Sequence, residues 1–337
     1  MKLIIPMAGR GTRLRPHTHV TPKPLLPVRG TSMVERILDT FGDVLPPGLD
    51  EAVFILGPDF GQEVRDRLTE ISERHGLSAS FGVQETARGT AHAVAQAGDR
   101  LDGECVIVFA DTLFYMDEKP SLADADAVIW VKHVDDPRRF GVVVKNANDH
   151  ITDFVEKPSE PISNEAIIGI YYVKDGASLG REIQYLMDND VTGHGGEYQL
   201  TDALDRMLKA GSVFKTASVS EWLDCGTIPA LKETTKVILD KEETGEKEGT
   251  VENCVLIEPV YVGPDAHVKD SVLGPYVAVH GGAEVTNSVL KNTIVFADAR
   301  VADSALDDAV VGHSAEVTRF AGPLNIGDHA TAGPVEG

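Results

Sequence analysis

Between Met1 and Val34 the chain has no Asp or Glu, yet it places Lys2, Arg10, Arg13, Arg15, Lys23 and Arg29 there. Gly9 and Gly11 lie among these cations, in the stretch "IIPMAGRGTRLRPHTHVTPKPLLPV". Glycines after a first strand let backbone N–H groups approach an anion closely, so unopposed cations beside glycines suit phosphate. Two common phosphate loops do not fit. A dinucleotide fingerprint would need a third glycine where Leu14 stands and an acid near Arg29. A P-loop would need Gly-Lys-Ser or Gly-Lys-Thr after the glycines, and neither follows. What remains is a loop with Gly9, Gly11, Thr12 and Arg13, then Lys23 between Pro22 and Pro24, whose rings stiffen the backbone and aim the ammonium. A solvated basic surface is the plain alternative, but it leaves the missing acids unexplained.

The rest of the chain has the opposite sign. With 53 Asp and Glu against 31 Lys and Arg in 337 residues, the formal charge is −22. That balance argues against a general nucleic-acid binder, which needs a basic surface to displace counterions. The apolar run Leu3 to Met7 is short, contains Pro6 and leads into arginines, so it reads as neither signal peptide nor membrane span, and a cytoplasmic address is expected. Cys105, Cys225 and Cys254 are few and widely separated, as packing thiols would be.

These side chains need a frame. "KLIIP", "EAVFIL", "ASFGVQ" and "ECVIVFAD" read as apolar strands, with helical spacing over 59–75 and 89–101. Such alternation predicts a parallel sheet covered on both faces. After Asp126 the pattern turns strand-rich through "AVIWVKHV", "FGVVVKN", "ITDFVEKP" and "IIGIYYV", read as an inserted or appended sheet, before helices over 176–189 and 199–210. "DKEETGEKEG" has no apolar residue and reads as a linker or an exposed helix end. Beyond it Val262, Val279, Val295 and Val311 recur at intervals of 17, 16 and 16 residues, each followed four residues later by Ala and six later by Val. The first three copies continue with Asp270-Ser271, Asn287-Ser288 and Asp303-Ser304. Four copies in register predict hexapeptide coils stacked into a left-handed parallel β-helix; a plain antiparallel β domain is the alternative.

"AGRGTRLRPHTHVTPKPLLPV" resembles the fingerprint of the sugar-1-phosphate nucleotidylyltransferases almost throughout, and the likeness extends over about residues 1–240. The family implies an α/β fold: a Rossmann-like nucleotidyltransferase core with a mixed sheet, here followed by the β-helix. The expected organisation is a catalytic domain over 1–240, a linker over 241–250 and the β-helix over 251–337. The resemblance implies that Ala8, Gly9, Gly11, Thr12, Arg13, Lys23, Gln84, Gly89, Thr90 and Asp111 hold a nucleoside triphosphate. It implies that Gly141, Glu156, Lys157 and Gly169 hold a sugar 1-phosphate, that Asp111 and Asp224 share Mg²⁺, and that Arg13, Lys23 and Lys157 act in catalysis. Asp111 also ends an apolar strand, where ligands of open α/β sheets gather.

The family reaction is attack of a sugar-1-phosphate oxygen on the α-phosphorus, releasing pyrophosphate. The Gln84 amide can pair with the N3–H and O4 edge of thymine or uracil, which together with the resemblance makes dTTP or UTP the expected nucleotide; glucose 1-phosphate is the sugar that the resemblance implies. Departures from the family pattern concern the sugar: Ala110 and Thr112 flank Asp111 where Gly and Asn are common, Phe140 precedes Gly141 where some members have Tyr, and Cys225 follows Asp224 in place of Thr. Two rivals are a non-catalytic sugar-nucleotide-binding or assembly subunit, and a bifunctional enzyme using His267, His280, His313 or His329 for acyl transfer. A homo-oligomer is expected, with no nucleic-acid or membrane partner.

Overall fold

The computed structural model describes residues 1–9, 11–45, 48–242 and 248–334. By compactness the chain divides into two units, Met1–Gly9 with Glu35–Trp222, and Arg10–Val34 with Leu223–Gly337. The basic loop is therefore grouped with the C-terminal part, whereas the sequence expectation drew one boundary near residue 240.

The first unit is built on a mixed sheet of nine strands. In chain order they are β1 (Lys2–Pro6), β2 (Glu51–Leu56), β3 (Ser78–Val83), β4 (Cys105–Val108), β5 (Ala127–His133), β6 (Gly141–Lys145), β7 (Ile151–Glu156), β8 (Glu165–Val173) and β9 (Phe214–Ser218). The run β3-β2-β1-β4 is parallel. Its middle strands are apolar at almost every position because both faces are covered, and Leu3, Ile4, Ile5 and Phe54 are fully buried. Past β4 the direction reverses, since β8 runs antiparallel to β4, β5 and β6. The strands from Ala127–His133 to Glu165–Val173, and Phe214–Ser218, thus extend the same sheet. The helix Leu200–Lys209 buries Leu200, Ala203, Leu204 and Met207, one stripe at helical spacing, in the core that also holds Phe214 and Tyr198. The helix expected over 89–101 is shorter, Thr90–Ala95 with a 3₁₀ turn at Gly98–Arg100.

In the second unit the helix Ile228–Lys241 starts at Thr227, whose hydroxyl accepts the Ala230 N–H at 3.3 Å. Residues 243–247 of the expected linker lie outside the described residues, and the first strand of the C-terminal stack starts at Thr250. Three parallel sheets of six, five and five strands then form the sides of the β-helix. Val251, Val268, Val285, Val301 and Val317 stack in one column, and Leu256, Leu273, Leu290 and Leu306 in a second. The stack is longer than the four copies legible in the sequence, because its end coils lack the Val/Ala spacing.

The Asp/Asn-Ser pairs are corners. Asp270, Asn287 and Asp303 have φ of 50, 46 and 51°, a region that Asn and Asp tolerate better than most residues. Each following serine serves two coils. Ser288 Oγ donates to Thr286 O at 2.7 Å and accepts the Ser304 N–H at 3.1 Å, while Ser271 Oγ accepts the Ser288 N–H at 3.1 Å. His280, named above for acyl transfer, is 2% exposed and stands edge-on between the rings of Tyr261 and Phe296, so it is a packing residue.

Ser288→Ala leaves the buried Ser304 N–H without its acceptor, and we expect a loss of about 1–3 kcal/mol in denaturant unfolding of the β-helix. An unchanged midpoint would show that the serine ladder does not stabilise the coils.

Candidate functional site

Parallel strands present their carboxyl ends on one edge, and the register brings four segments there. Pro6 pairs with Ile55 and Leu56 with Val83, so Ala8–Gly9, Gly57 and Gln84 emerge side by side, with the turn at Asp111 following β4. Val108 pairs with Ile170, so residues 165–169 of β8 run beyond the end of β4. On that projecting part Gly141 opens β6 and Glu156 closes β7 opposite it. One edge of one sheet thus gathers Ala8, Gly9, Gln84, Asp111, Gly141, Glu156 and Gly169.

Each segment has its own local reason. Asp111 sits in a turn closed by Thr112 N–H to Phe109 O at 3.1 Å, and Phe109 N–H donates to Gly169 O at 3.0 Å. Gly169 has φ of 83° at a break in the β8–β5 register, where a methyl would come within 3.0 Å of Phe109. Gly141 makes room for an acid, since a methyl there would meet Glu156 Oε2 at 2.8 Å. Lys157 has φ of 46°, anchored by its N–H to Phe140 O at 3.0 Å, and its Nζ stands 3.5 Å from Glu156 Oε1. The Phe140 ring packs edge-on to Trp222 at 5.2 Å. Below Glu156 a cavity of about 60 Å³ is lined by Gly141, Ile167, Thr201, Asp202 and Asp205, among others. Burial, then Asp205 and Glu156, raises the Asp202 carboxyl above the usual range.

Gln84 is buried and turned toward its own chain, its Nε2 donating to Gly89 O at 3.2 Å and to His92 Nδ1 at 3.0 Å. Both amide hydrogens are thereby engaged within the chain, and the carbonyl oxygen is an acceptor suited to an N3–H. The pKa of His92 is lowered, first by burial and then by the nearby Arg88. Gly89 has φ of 113°, and a methyl there would overlap the Tyr198 backbone. Thr90 Oγ1 accepts the Leu200 N–H at 2.9 Å, and Arg88 lies 4.9 Å over the Tyr198 ring while donating to its hydroxyl. His92 and Tyr198 were missed in the sequence; His92 lies on the helix Thr90–Ala95, inside the segment quoted for Gln84 and Gly89, and Tyr198 had no local signal.

The remaining expected residues belong to the second unit. Gly11 has φ of 58° and opens the 3₁₀ turn Thr12–Leu14 that carries Arg13. A methyl on Gly11 would stand 3.0 Å from Lys23 Cβ, so this glycine lets the two halves of the basic loop close on each other. Lys23 starts a second 3₁₀ turn, Lys23–Leu25. Asp224 Oδ1 accepts the Gly226 N–H at 2.7 Å, and Thr234 Oγ1 donates to Asp224 O at 2.8 Å. Gly226, also missed in the sequence, lies under both charges: a methyl on it would come within 2.8 Å of Asp224 Oδ1 and 3.4 Å of Arg13 Nη2. Arg13 and Asp224, 211 positions apart, are thus brought together. Arg10 lies outside the described residues.

Comparison with known proteins agrees with the family that the sequence resembles. A nucleotidyl transferase family profile matches residues 2–241, and a GlmU-like C-terminal hexapeptide profile matches 244–317. The chain is 31% identical to the bifunctional protein GlmU of Methanocaldococcus jannaschii over 256 residues, which cover 76% of this chain and 59% of that relative's length. It is 25% identical to a glucose-1-phosphate thymidylyltransferase of Streptomyces griseus, over 98% of this chain and 99% of that one. A crystal structure of a Bacillus anthracis protein described as a glucose-1-phosphate thymidylyltransferase, in complex with a sucrose, superposes with a TM-score of 0.59 at 27% identity, covering 73% of this chain and 97% of that one.

Gly9 offers a clean test of the loop. A methyl on it would meet nothing within 4 Å, so the fold does not need glycine there. We expect Gly9→Ala to keep its thermal midpoint yet lose about tenfold in affinity for a nucleoside triphosphate, the worth of one charged hydrogen bond. Unchanged affinity in calorimetry would show that phosphate does not approach this backbone.

Proposed function

The chain belongs to the nucleotidyl transferase family, and on that premise we propose that it joins a hexose 1-phosphate, glucose 1-phosphate first among them, to the nucleotidyl group of dTTP or UTP. The observation that carries the reading is the carboxyl edge of the parallel strands, where Ala8–Gly9, Gln84, Asp111, Gly169 and the Gly141–Glu156–Lys157 group emerge together. A sugar-phosphate oxygen forms the new bond to the α-phosphorus, the α–β bridging bond breaks, and pyrophosphate leaves. The nucleophile needs no base, because a phosphate monoester with a second pKa of about 6 is already ionised near neutrality.

Catalysis is then position and charge. In this reading Gly9, Gly11, Thr12, Arg13 and Lys23 hold the triphosphate, with Arg13 and Lys23 drawing charge toward the departing pyrophosphate. Lys157 offsets repulsion as the sugar phosphate approaches, Glu156 and the Gly141 backbone hold the sugar, and Gln84 with Gly89 and Thr90 faces the base. Asp111 and Asp224 are hard oxygen donors, and no group of three or more His, Cys, Asp or Glu forms a cage among the described residues. That donor set fits Mg²⁺, which commonly takes one or two carboxylates and leaves other positions to water and phosphate. Bound there, Mg²⁺ supplies charge neutralisation at phosphate oxygens.

We assign residues 1–240 to catalysis, 241–250 to a linker and 251–337 to the β-helix, and we place the reaction in the cytoplasm. No described helix is long and apolar enough to cross a membrane. Self-association is also part of this reading: Val255 and Val289 are 58% and 51% exposed and align through Val272 on one side of the β-helix. Val289→Lys is expected to lower the mass seen by light scattering; an unchanged mass would move the interface elsewhere.

The test of the reaction is pyrophosphate release over a matrix of four triphosphates and several sugar 1-phosphates. We expect dTTP or UTP to exceed ATP and GTP, and equal or faster release with a purine would overturn the base assignment. Asp111→Asn and Asp224→Asn are each expected to lose about 10²-fold or more in kcat, comparable with removing one preorganised electrostatic contact. Near-full turnover in both at saturating Mg²⁺ would leave the reaction to Arg13, Lys23 and Lys157.

A further inference from the structure

The loop that carries Arg13 and Lys23 is held at both ends by the β-helix, within the second unit. His17 is fully buried, and its Nε2–H donates to Asn325 Oδ1 at 2.6 Å. Its ring meets Phe296 edge-on at 5.4 Å; Phe296 meets His280 at 5.3 Å, and His280 meets Tyr261 at 6.1 Å. A ring from the loop thus adds itself to a row of rings running along the β-helix. Tyr261, at the other end of the row, carries the far end of the loop: the Arg29 guanidinium lies 5.4 Å from its ring centroid, and a methyl on Gly30 would overlap its hydroxyl. Beside His17 the fit is equally close, since a methyl on Gly327 would stand 2.8 Å from Pro16 Cβ.

The spacing gives this anchoring its meaning. His17 follows Arg13 by four residues and precedes Lys23 by six, and Arg29 follows Lys23 by six. A cationic loop without such anchors would sample many positions, and misplacing a charged contact by about 1 Å can cost 10²-fold in rate. Burial lowers the pKa of His17, with the Asn325 bond and Asp328 acting in the other direction. Its Nδ1 is buried without a hydrogen-bond partner, so protonation would place an unpaired N–H there. The ring therefore serves as a neutral donor through Nε2.

We propose that His17 and Asn325 form a positioning pair through which the last coils of the β-helix fix the triphosphate loop and set nucleotide affinity. The proposal rests on the reading that residues 11–28 receive the triphosphate. The β-helix then contributes to substrate capture without a residue of its own on the substrate, and ordering of the last coils is linked to nucleotide binding in both directions.

The experiment uses the full chain and four variants. Asn325 is exposed, so Asn325→Ala removes the acceptor without opening the β-helix core. Gly327→Ala instead pushes Pro16 by one methyl. His17→Ala removes the donor and His17→Gln restores it. We expect Asn325→Ala, Gly327→Ala and His17→Ala to raise the KM for the triphosphate about tenfold or more, with the sugar 1-phosphate KM within about twofold. His17→Gln should recover most of the loss. In the absence of substrate, amides of residues 12–20 should exchange faster in the three disruptive variants. Unchanged triphosphate KM and unchanged exchange would overturn the proposal, as would equal rises in both KM values. Absence of turnover in the unmodified protein would instead defeat the proposed reaction, and the exchange rates would then decide whether these coils hold the loop.

Discussion

The constraint on which the rest of the structure depends is the like charge of the front loop. Arg13, Arg15, Lys23 and Arg29 lie within 17 residues with no acid between them, so the loop cannot hold its shape by internal ion pairs. Its order comes from elsewhere. Leu14, His17 and Val28 are fully buried, two 3₁₀ turns fix the backbone at Arg13 and Lys23, and Arg29 finds Glu242, 213 positions away, at 2.5 Å. The loop is ordered without acids of its own because its stabilising contacts are apolar or distant in sequence.

The same economy of space recurs around the sheet edge. At Gly89, Gly141 and Gly169 an added methyl would strike the backbone or a neighbouring charged or aromatic side chain. These glycines let functional groups approach one another, and the sheet supplies rigidity behind them. Strands are the better platform here, since their ends are fixed by ladders on both sides while the loops carry the chemistry. The β-helix works by a different repetition, with valine and leucine columns inside and a serine at each of three corners passing a hydrogen bond to the next coil.

Much of this was legible in the chain itself. Alternating apolar strands and helices marked the parallel core, the 16- and 17-residue intervals marked the stacked coils, and the absence of acid over 34 residues marked the basic loop. These signals are local or periodic, and each follows from steric and charge rules that act on neighbouring residues. Missed were the helices Met33–Val44 and Ile228–Lys241; the mixed sheet was implied by the family resemblance, while the local pattern alone did not show the continuity of the later strands with the first sheet. That continuity depends on β8 pairing with three partners at once, which no local pattern encodes.

By itself the sequence determined which chemical groups exist and what each could do: an unopposed basic loop, a strand-end aspartate, a Glu-Lys pair and a repeat that must stack. Only the tertiary structure decided how they are used. Gln84 spends both amide hydrogens on Gly89 and His92, Arg13 and Asp224 come together over Gly226, and His17 joins the loop to Asn325 of the β-helix. These pairings span from 5 to 308 positions, and their choice rests on close packing and hydrogen-bond satisfaction. Those are properties of the folded interior, where a buried donor must find its acceptor wherever the chain has placed it.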